Sequence, residues 1–301
     1  MTPLRQRFVD DLRLRNRSPK TIETYVRHVA QFAQHFGRSP EQLNVEHVRQ
    51  YQLHLLHERK ASWSGFNQAV SALRFLYGTT LGRPEYLERL PYGRRPRTLP
   101  LVLSQEEVLE LLRCTRHAGH RMVLMTMYAT GLRVSEATAL SVSHIDSQRM
   151  TILVAHGKGA KQRLVPLSKK LLTELRQWWR THRHRQWLFP GQKKDRPIDI
   201  SGVQRACQQA ARDAGLTKHP TTHTLRHTFA TQLLEAGVDL LTIQKILGHS
   251  CLTTTARYLH VRRNHLQAAA GVFDLLPLDQ LGPSPQTSAK RDKPRRRKSA
   301  K

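Results

Sequence analysis

The chain has 301 residues, enough for two domains that each bury a core of their own. Its 50 lysines and arginines outnumber its 22 aspartates and glutamates, which gives a formal net charge of +28 and a sequence pI of about 11.1. So large an excess argues against a merely soluble basic surface and predicts a polyanionic partner, most often a nucleic acid.

The cysteines and the hydropathy pattern bear on the compartment. Cys114, Cys207 and Cys251 are widely spaced, and no CxxC pair is present. A sparse, odd set is typical of a reducing compartment rather than of a disulfide framework. The N-terminal residues lack the apolar segment of a signal peptide, and no stretch reaches the roughly 18 apolar residues of a membrane span. We therefore expect a soluble, cytoplasmic protein.

Residues 1–81 are predicted to form a DNA-binding bundle of four short amphipathic helices. The helices are expected at about 4–14, from Pro19 to about 36, from Asn44 or Val45 to about 56, and from Ser62 to about 77. Tyr25, Tyr51 and Tyr77 fall on the apolar stripes and are interpreted as core. The outer faces carry mostly arginine, which binds phosphate in a bidentate manner; a solvated face is an equal alternative for any single arginine.

Two further stretches differ in composition from their surroundings. Residues 82–100 contain four prolines and several arginines, which predicts a basic linker without helical continuity. Residues 279–301 are rich in proline, serine and basic residues and lack apolar periodicity, which predicts a disordered basic tail. A second domain is therefore expected over residues 101–278.

This second domain is predicted to be mainly helical with a small antiparallel sheet. Met150–Val154 and Arg163–Val165 are read as two strands, and the connection AHGKGAKQ between them favours a hairpin. Helices are expected from Ser104, over about 119–129, from Arg133, and over about 168–182, 201–214, 221–236, 240–247, 252–258 and 262–272.

The stretch His223–Tyr258 has a pattern suited to binding phosphate. His223 and Arg226 are three residues apart and share one face of a predicted helix, so both can reach the same ligand oxygen. A second apolar run ends at Gly248, a C-terminal helix signal, and places His249 in the turn beyond. Tyr258 follows nine residues later as a possible nucleophile.

Breaking a phosphodiester without a metal requires a nucleophile, positive charge around phosphorus and a proton donor for the departing oxygen. Arg133 and Arg226 are suited to hold the non-bridging oxygens through bidentate hydrogen bonds. His223 and His249 can donate hydrogen bonds or transfer protons. The remaining two roles fall to Lys158, in the hairpin turn, as general acid and to Tyr258 as nucleophile.

The segments TGLRVSEA, GKGAKQRLVPL, HTLRHTFAT, LGHS and ARYLHV together resemble the tyrosine recombinase (phage integrase) superfamily, in particular its short Xer-like and mobile-element integrases. The resemblance covers nearly all of residues 1–272. It implies a mainly α fold: a four-helix, SAM-like core-binding domain followed by a helical catalytic domain with a small antiparallel sheet. It places the catalytic roles on Arg133, Lys158, His223, Arg226, His249 and Tyr258, with Glu136 as a partner that steadies Arg133.

The same resemblance implies a reaction and its partners. Strand cleavage would produce a 3′-phosphotyrosine and a free 5′-OH, followed by strand exchange through a Holliday junction in DNA integration, excision or resolution. The partners would be double-stranded DNA with specific sites and, in a tetramer, either further copies of this chain or a related recombinase. Neither a cofactor nor ATP is expected.

Several alternatives remain at this point. Lys161 also lies in the hairpin, although the GK context favours Lys158. His223 and His227 are four apart and could bind zinc on one helix face, but two histidines without a nearby carboxylate or cysteine make a poor site, so no metal is expected. A non-catalytic DNA-binding regulator and a type IB topoisomerase-like enzyme are the alternative functions.

Overall fold

The computed structural model describes residues 2–94, 100–155, 162–192, 195–249 and 251–256. The chain divides into two compact units, Met1–Thr98 and Leu99–Lys301. The predicted fold class, mainly α with a small antiparallel sheet in the second unit, is confirmed. None of the helices in the described ranges is both long enough and apolar enough to cross a membrane.

The N-terminal unit is a bundle of helices whose first turns are capped by short polar side chains. Thr2, Ser18, Asn44 and Ser62 each accept a hydrogen bond from a backbone N–H of the turn that follows, which satisfies a donor that the helix itself leaves unpaired. The helices are α1 (Pro3–Leu14), α2 (Pro19–Phe36), α3 (Val45–His57) and α4 (Trp63–Phe75), and α4 continues into a π-helical turn at Leu76–Thr80.

The core of this unit extends beyond the predicted boundary at residue 81. Tyr86 and Leu90, in the stretch predicted as linker, are buried with the aromatic side chains of the bundle. The Tyr86 ring stacks on the Tyr77 ring with centroids 4.2 Å apart, and its hydroxyl donates to the Leu43 carbonyl at 3.1 Å. Tyr51 and Tyr77 are buried as expected, whereas Tyr25 is half-buried and packs against the core from outside.

The C-terminal unit packs its other helices around one central helix. Its elements are α5 (Gln105–Arg113), α6 (Ala118–Thr130), α7 (Val134–Thr138), β1 (Ile145–Asp146), β2 (Thr151–Val154), β3 (Arg163–Pro166), α8 (Lys169–His182), α9 (Ile200–Asp213), α10 (Thr222–Glu235), α11 (Leu240–Leu247) and α12 (Leu252–Ala256). The predicted helix at 262–272, the tail at 279–301 and residues 95–99 of the predicted linker lie outside the described residues.

α6 is the centre of this unit. Every residue from Arg121 to Thr130 is buried, because α6 contacts helices on several sides, α10 most extensively. Apolar side chains all around a helix are expected in such a position. α6 ends at Gly131, whose left-handed backbone (φ +67°) turns the chain into α7. This turn brings the residues after α6 close to α10 and α11.

The sheet has three antiparallel strands in the order β1-β2-β3. The prediction of two strands joined by a hairpin agrees with β2 and β3, and the two-residue β1 was missed because so short a strand has no detectable alternation. Val154 pairs with Arg163 at the end of the ladder nearest the connection, and Ile152 pairs with Val165. Arg163 therefore shares the inward face of the sheet with Val165.

Candidate active site

Arg133 lies in the turn between α6 and α7 and is held there by Glu136. Glu136 accepts a hydrogen bond from the backbone N–H of Arg133 at 2.9 Å and another from Arg133 Nη1 at 2.7 Å. The Arg133 side chain keeps 23% of its surface exposed, whereas that of Glu136 keeps only 2%. Glu136 thus orients a guanidinium that remains accessible to a ligand.

Arg226 approaches Glu136 from α10 and is almost fully enclosed. Its side chain is 3% exposed, and its Nη1 lies 3.9 Å from Glu136 Oε2. Nη1 also donates to the Gly131 carbonyl at 2.7 Å and Nη2 donates to the Leu247 carbonyl at 2.7 Å. These bonds fix the planar guanidinium, so its position is set before any ligand arrives.

A third arginine, Arg163, completes this group and was not identified from the sequence. Its Nη1 and Nη2 donate to the two carboxylate oxygens of Glu136 at 3.0 and 2.7 Å, a bidentate ion pair. Its Nε donates to the Ile246 carbonyl at 2.8 Å. The available signal was strand alternation, which places Arg163 on the same buried face of β3 as Val165. A charged residue on a buried face has to be paired.

The C-terminal end of α11 is the place where the three arginines converge. Three consecutive carbonyl oxygens, those of residues 246, 247 and 248, accept hydrogen bonds from Arg163, Arg226 and Arg133 respectively, the last at 3.4 Å. Carbonyls at this end of a helix have no partners within the helix and carry its partial negative charge, so cations there are favourable. The arginines therefore hold the chain just before His249.

The charge balance of this cluster depends on Glu136. Burial alone would raise the pKa of its carboxyl, but hydrogen bonds from Arg163 and from the backbone and side chain of Arg133 lower it to about 2. Glu136 therefore remains ionised at neutral pH. Because its folded pKa lies below the ordinary value of about 4.3, the stability that this carboxylate contributes is complete above that pH and is lost as the pH falls towards 2.

His249 is half-buried in the turn after α11 and is held at several atoms. Its ring Nδ1 is 2.9 Å from Thr255 Oγ1. Its backbone N–H donates to the Gln244 carbonyl at 3.1 Å, and its backbone carbonyl accepts from Gln244 Nε2 at 3.0 Å. Burial, and then the nearby Arg226 and Arg133, lower its pKa to about 4. The imidazole is therefore neutral at pH 7 and has one N–H donor and one acceptor nitrogen.

His223 is exposed in the first turn of α10. Partial desolvation of its ring, and then the charges of Arg226 and Arg133, lower its pKa. The ring centroid of His227 is 6.4 Å away, and the described part of the chain contains no group of three or more potential metal ligands. His223 thus stands beside Arg133 and Arg226, and both desolvation and their positive charge favour its neutral form.

The structure brings five of the sequence-predicted site residues together: Arg133, Glu136, His223, Arg226 and His249. Lys158, the alternative Lys161, and Tyr258 lie outside the described residues. The chain is described up to Ala155 and again from Gln162, and α12 ends at Ala256. The cluster is thus a set of preorganised, positively charged donors suited to an anion.

Comparison with known proteins identifies the family. The Phage integrase family matches residues 102–265, and the "Phage integrase, N-terminal SAM-like domain" matches residues 4–85. The chain belongs to the phage integrase family. The resemblance drawn from the five sequence segments is therefore confirmed, and this family member is a tyrosine-type, site-specific DNA recombinase. DNA is its partner.

Relatives resemble the chain over most of its length. The integrase/recombinase y4qK of Sinorhizobium fredii is 46% identical over 95% of this chain and 93% of its own length. The tyrosine recombinase XerA of Thermococcus kodakarensis is 36% identical over 88% of this chain and 93% of its own length. Both helical units of this integrase-family chain therefore have counterparts in these relatives.

Solved structures share the fold. XerH recombinase bound to its difH substrate has a TM-score of 0.65 at 23% identity and covers 84% of this chain and 78% of its own. A lambda integrase dimer bound to a core site has a TM-score of 0.71 at 17% identity and covers 88% of this chain and 97% of its own. At these identities the likeness establishes the tyrosine recombinase fold.

Gly131→Ala is expected to destabilise this recombinase more than an equivalent change elsewhere. A Cβ at Gly131 (φ +67°) would lie 2.5 Å from Phe229 Cδ1 and 2.8 Å from Leu247 Cδ2, whereas at Gly215 (φ +64°) it would meet nothing within 4 Å. Both changes strain the backbone, and only the first also overpacks the core. We expect Tm to fall by about 2–4 °C for Gly215→Ala and by about 6–12 °C for Gly131→Ala. Thermal unfolding measures both, and equal shifts would contradict the packing of α10 and α11 against this turn.

Proposed function

We propose that this recombinase cleaves a DNA strand by attack of Tyr258 on the scissile phosphate, without metal or ATP. The observation that carries the proposal is the pair Arg133 and Arg226, drawn from separate helices onto one buried carboxylate, Glu136. Two guanidinium groups fixed in this way supply positive charge where a metaphosphate-like or pentacoordinate phosphorus needs it. Their orientation in advance of substrate is what makes such charge effective.

The proposed step is balanced without a co-reactant. The phenol oxygen of Tyr258 bonds to phosphorus as the bond from phosphorus to the 5′ oxygen breaks. His249 accepts the phenol proton, and Lys158 protonates the departing 5′ oxygen. The product is a 3′-phosphotyrosine and a free 5′-OH, and since one phosphate ester replaces another, rejoining by the reverse step needs no ATP.

The arginine cluster also addresses the reactivity of the phenol. An unperturbed phenol titrates near pH 10, so ionisation at neutral pH requires nearby positive charge. Arg133, Arg163 and Arg226 supply three guanidinium groups against the single carboxylate of Glu136. Their excess positive charge favours both the phenolate and the phosphate. The bound phosphate would in turn raise the pKa of His249 from its low value and so improve it as a base.

We further propose that the enzyme acts as a tetramer on two DNA sites and exchanges strands in sequence through a Holliday junction, in integration, excision or resolution. The lambda integrase relative is a dimer bound to a core site, and XerH is bound to its difH substrate. The formal charge of +28 suits the same type of partner. Cytoplasmic localisation is proposed on the same grounds, since the substrate is DNA.

Trapping the covalent intermediate tests this function. Nicked duplexes with randomised arms lose a short strand after cleavage, so rejoining is blocked and the adduct accumulates. With EDTA present, we expect protein–DNA adducts that withstand denaturant and share a common sequence, with the phosphate on Tyr258 in peptide mapping. A requirement for Mg²⁺, or an adduct on another residue, would contradict the mechanism. Adducts without sequence preference, with relaxation of supercoils, would favour a topoisomerase.

A further inference from the structure

We propose that Arg163 is a positioning residue that connects the strand after Lys158 to the arginine clamp, the pair Arg133 and Arg226. One side of its guanidinium holds Glu136 and, through Glu136, Arg133. The other side holds the chain just before His249. This inference rests on the proposed function of the clamp. Arg163 would thus hold the parts of the site that lie on β3, α7 and α11 in a fixed relative position.

The contacts of Arg163 reach two other elements of the site. Its two terminal nitrogens bind the carboxylate of Glu136 on α7, at 3.0 and 2.7 Å, while its Nε binds the Ile246 carbonyl at the end of α11, at 2.8 Å. The side chain is only 11% exposed. A guanidinium is suited to this task because its donors are coplanar and diverge, so one group holds two partners at a fixed separation.

The position of Arg163 in the chain links it to the hairpin. It is the first residue of β3, and its backbone pairs with Val154, the last residue of β2. The connection that carries Lys158 begins after Val154 and ends before Arg163. The two ends of that connection therefore adjoin the paired residues Val154 and Arg163. The side chain of Arg163 is held by Glu136 and by the end of α11.

Gly248 makes room for this arrangement. A Cβ at that position would lie 2.9 Å from Arg163 Cδ and 3.1 Å from its Nε, because the arginine side chain passes directly over the turn that ends α11. The guanidinium of Arg163 thus occupies the space between β3 and the turn leading to His249. Its removal would leave the carboxylate of Glu136 with fewer hydrogen bonds in a buried site, where unpaired charge is strongly unfavourable.

The charged groups around Glu136 predict how the loss of Arg163 would change pH dependence. Arg133 lies on its own element, Arg163 faces it from β3 and Arg226 from α10. The hydrogen bond from Arg163 is the largest of the effects that lower the pKa of Glu136, opposing the effect of burial. Without Arg163 the carboxyl would take up a proton at higher pH, and Arg133 would lose its ionic partner there.

The test compares Arg163→Met, Arg163→Lys and Arg116→Met, each in the full chain. Single-turnover cleavage is measured on a duplex that carries the common sequence recovered in the trapping experiment. Arg116 is the matched control, because it pairs with Asp213 instead of Glu136. We expect cleavage by Arg163→Met to slow about 10- to 100-fold, the range known for the loss of a partner that orients a metal ligand. DNA affinity should change less than twofold, and Arg163→Lys should recover part of the rate.

Two readouts separate positioning from a merely structural role. A substrate with sulfur in place of the bridging 5′ oxygen has a leaving group that needs no proton, so it should relieve part of the Arg163→Met defect if Lys158 is displaced. As the pH is lowered, the cleavage rate of Arg163→Met should also begin to fall at a higher pH than the rate of the parent. Equal defects on both substrates together with an unchanged pH profile would overturn the proposal.

The remaining outcomes are also decisive. If Arg163→Met cleaves within twofold of Arg116→Met, Arg163 has no positioning role, while adduct formation by the parent would leave the proposed function standing. If the parent forms no adduct on Tyr258, the proposed function itself fails. Thermal unfolding accompanies each variant, so that cleavage rates are compared at temperatures where each variant is folded.

Discussion

Tyr258→Phe is expected to abolish covalent capture of DNA while leaving DNA binding within twofold of the parent. The substitution removes one hydroxyl oxygen, the atom that would bond to phosphorus, and keeps the ring. No adduct should be detected on a nicked suicide duplex under conditions in which the parent is converted fully. Capture is measured by denaturing electrophoresis and binding by fluorescence anisotropy with the same duplex.

Tyr92→Phe is the matched control for this change. Tyr92 lies in the N-terminal unit and is 55% exposed, and its ring packs against the guanidinium of Arg74. The variant should form the adduct at the parental rate. If Tyr258→Phe still captured DNA, the nucleophile would be a different residue and the proposed mechanism would be wrong. Loss of binding by Tyr258→Phe, with capture lost in parallel, would instead make the hydroxyl a DNA-binding group and also contradict its assignment.

Arg226→Ala is expected to slow strand cleavage by about a hundred- to a thousandfold, the usual effect of removing a preorganised donor to a developing oxyanion. The side chain is 3% exposed and also supports the Gly131 and Leu247 carbonyls, so part of the loss will be stability. Arg226→Lys retains the charge without the planar fork and should recover only part of the rate. Single-turnover cleavage, measured at temperatures where each variant is folded, gives the comparison.

Arg121→Ala provides a matched control for the structural part of this effect. Arg121 is another buried arginine of the same unit, 8% exposed, and it also donates to backbone carbonyls, those of Thr115 and Arg113. Its loss should lower Tm but leave the cleavage rate of the folded protein within about threefold of the parent, as expected for a change outside the site. If Arg226→Ala cleaved as fast as Arg121→Ala, Arg226 would be structural and would not contact the phosphate.

The parts of the site that could be predicted from the sequence are those set by local structure. His223 and Arg226 could be placed on α10 because helical spacing decides which residues share a face. Gly248 could be recognised as a helix end because its left-handed backbone is a local property. The family resemblance implied that Glu136 steadies Arg133, and the two residues, three apart at the start of α7, are in contact in the structure.

Arg163 shows why the other parts of the site and fold could not be predicted from the sequence. Its partners are 27 residues away in one direction and 83 in the other, and no local pattern indicates which carboxylate or carbonyl it meets. Burial of α6 on all sides likewise follows from packing against its neighbours rather than from its own sequence alone. Tyr86 was read as linker because prolines flank it, yet its ring stacks in the N-terminal core. Tertiary contacts outweighed composition in each case.

The three carbonyls at the end of α11 also determine which part of the described chain is held most firmly. Moving α11 would break hydrogen bonds to three charged groups, each worth about 1.5–3 kcal/mol, whereas His249 is tied to Thr255 by one bond that involves a neutral hydroxyl, worth about 0.5–1.5 kcal/mol. Of these hydrogen bonds in the described chain, the one between His249 and Thr255 of α12 is therefore the weakest. A displacement of α12 would therefore leave the positions of Arg133, Arg163 and Arg226 unchanged.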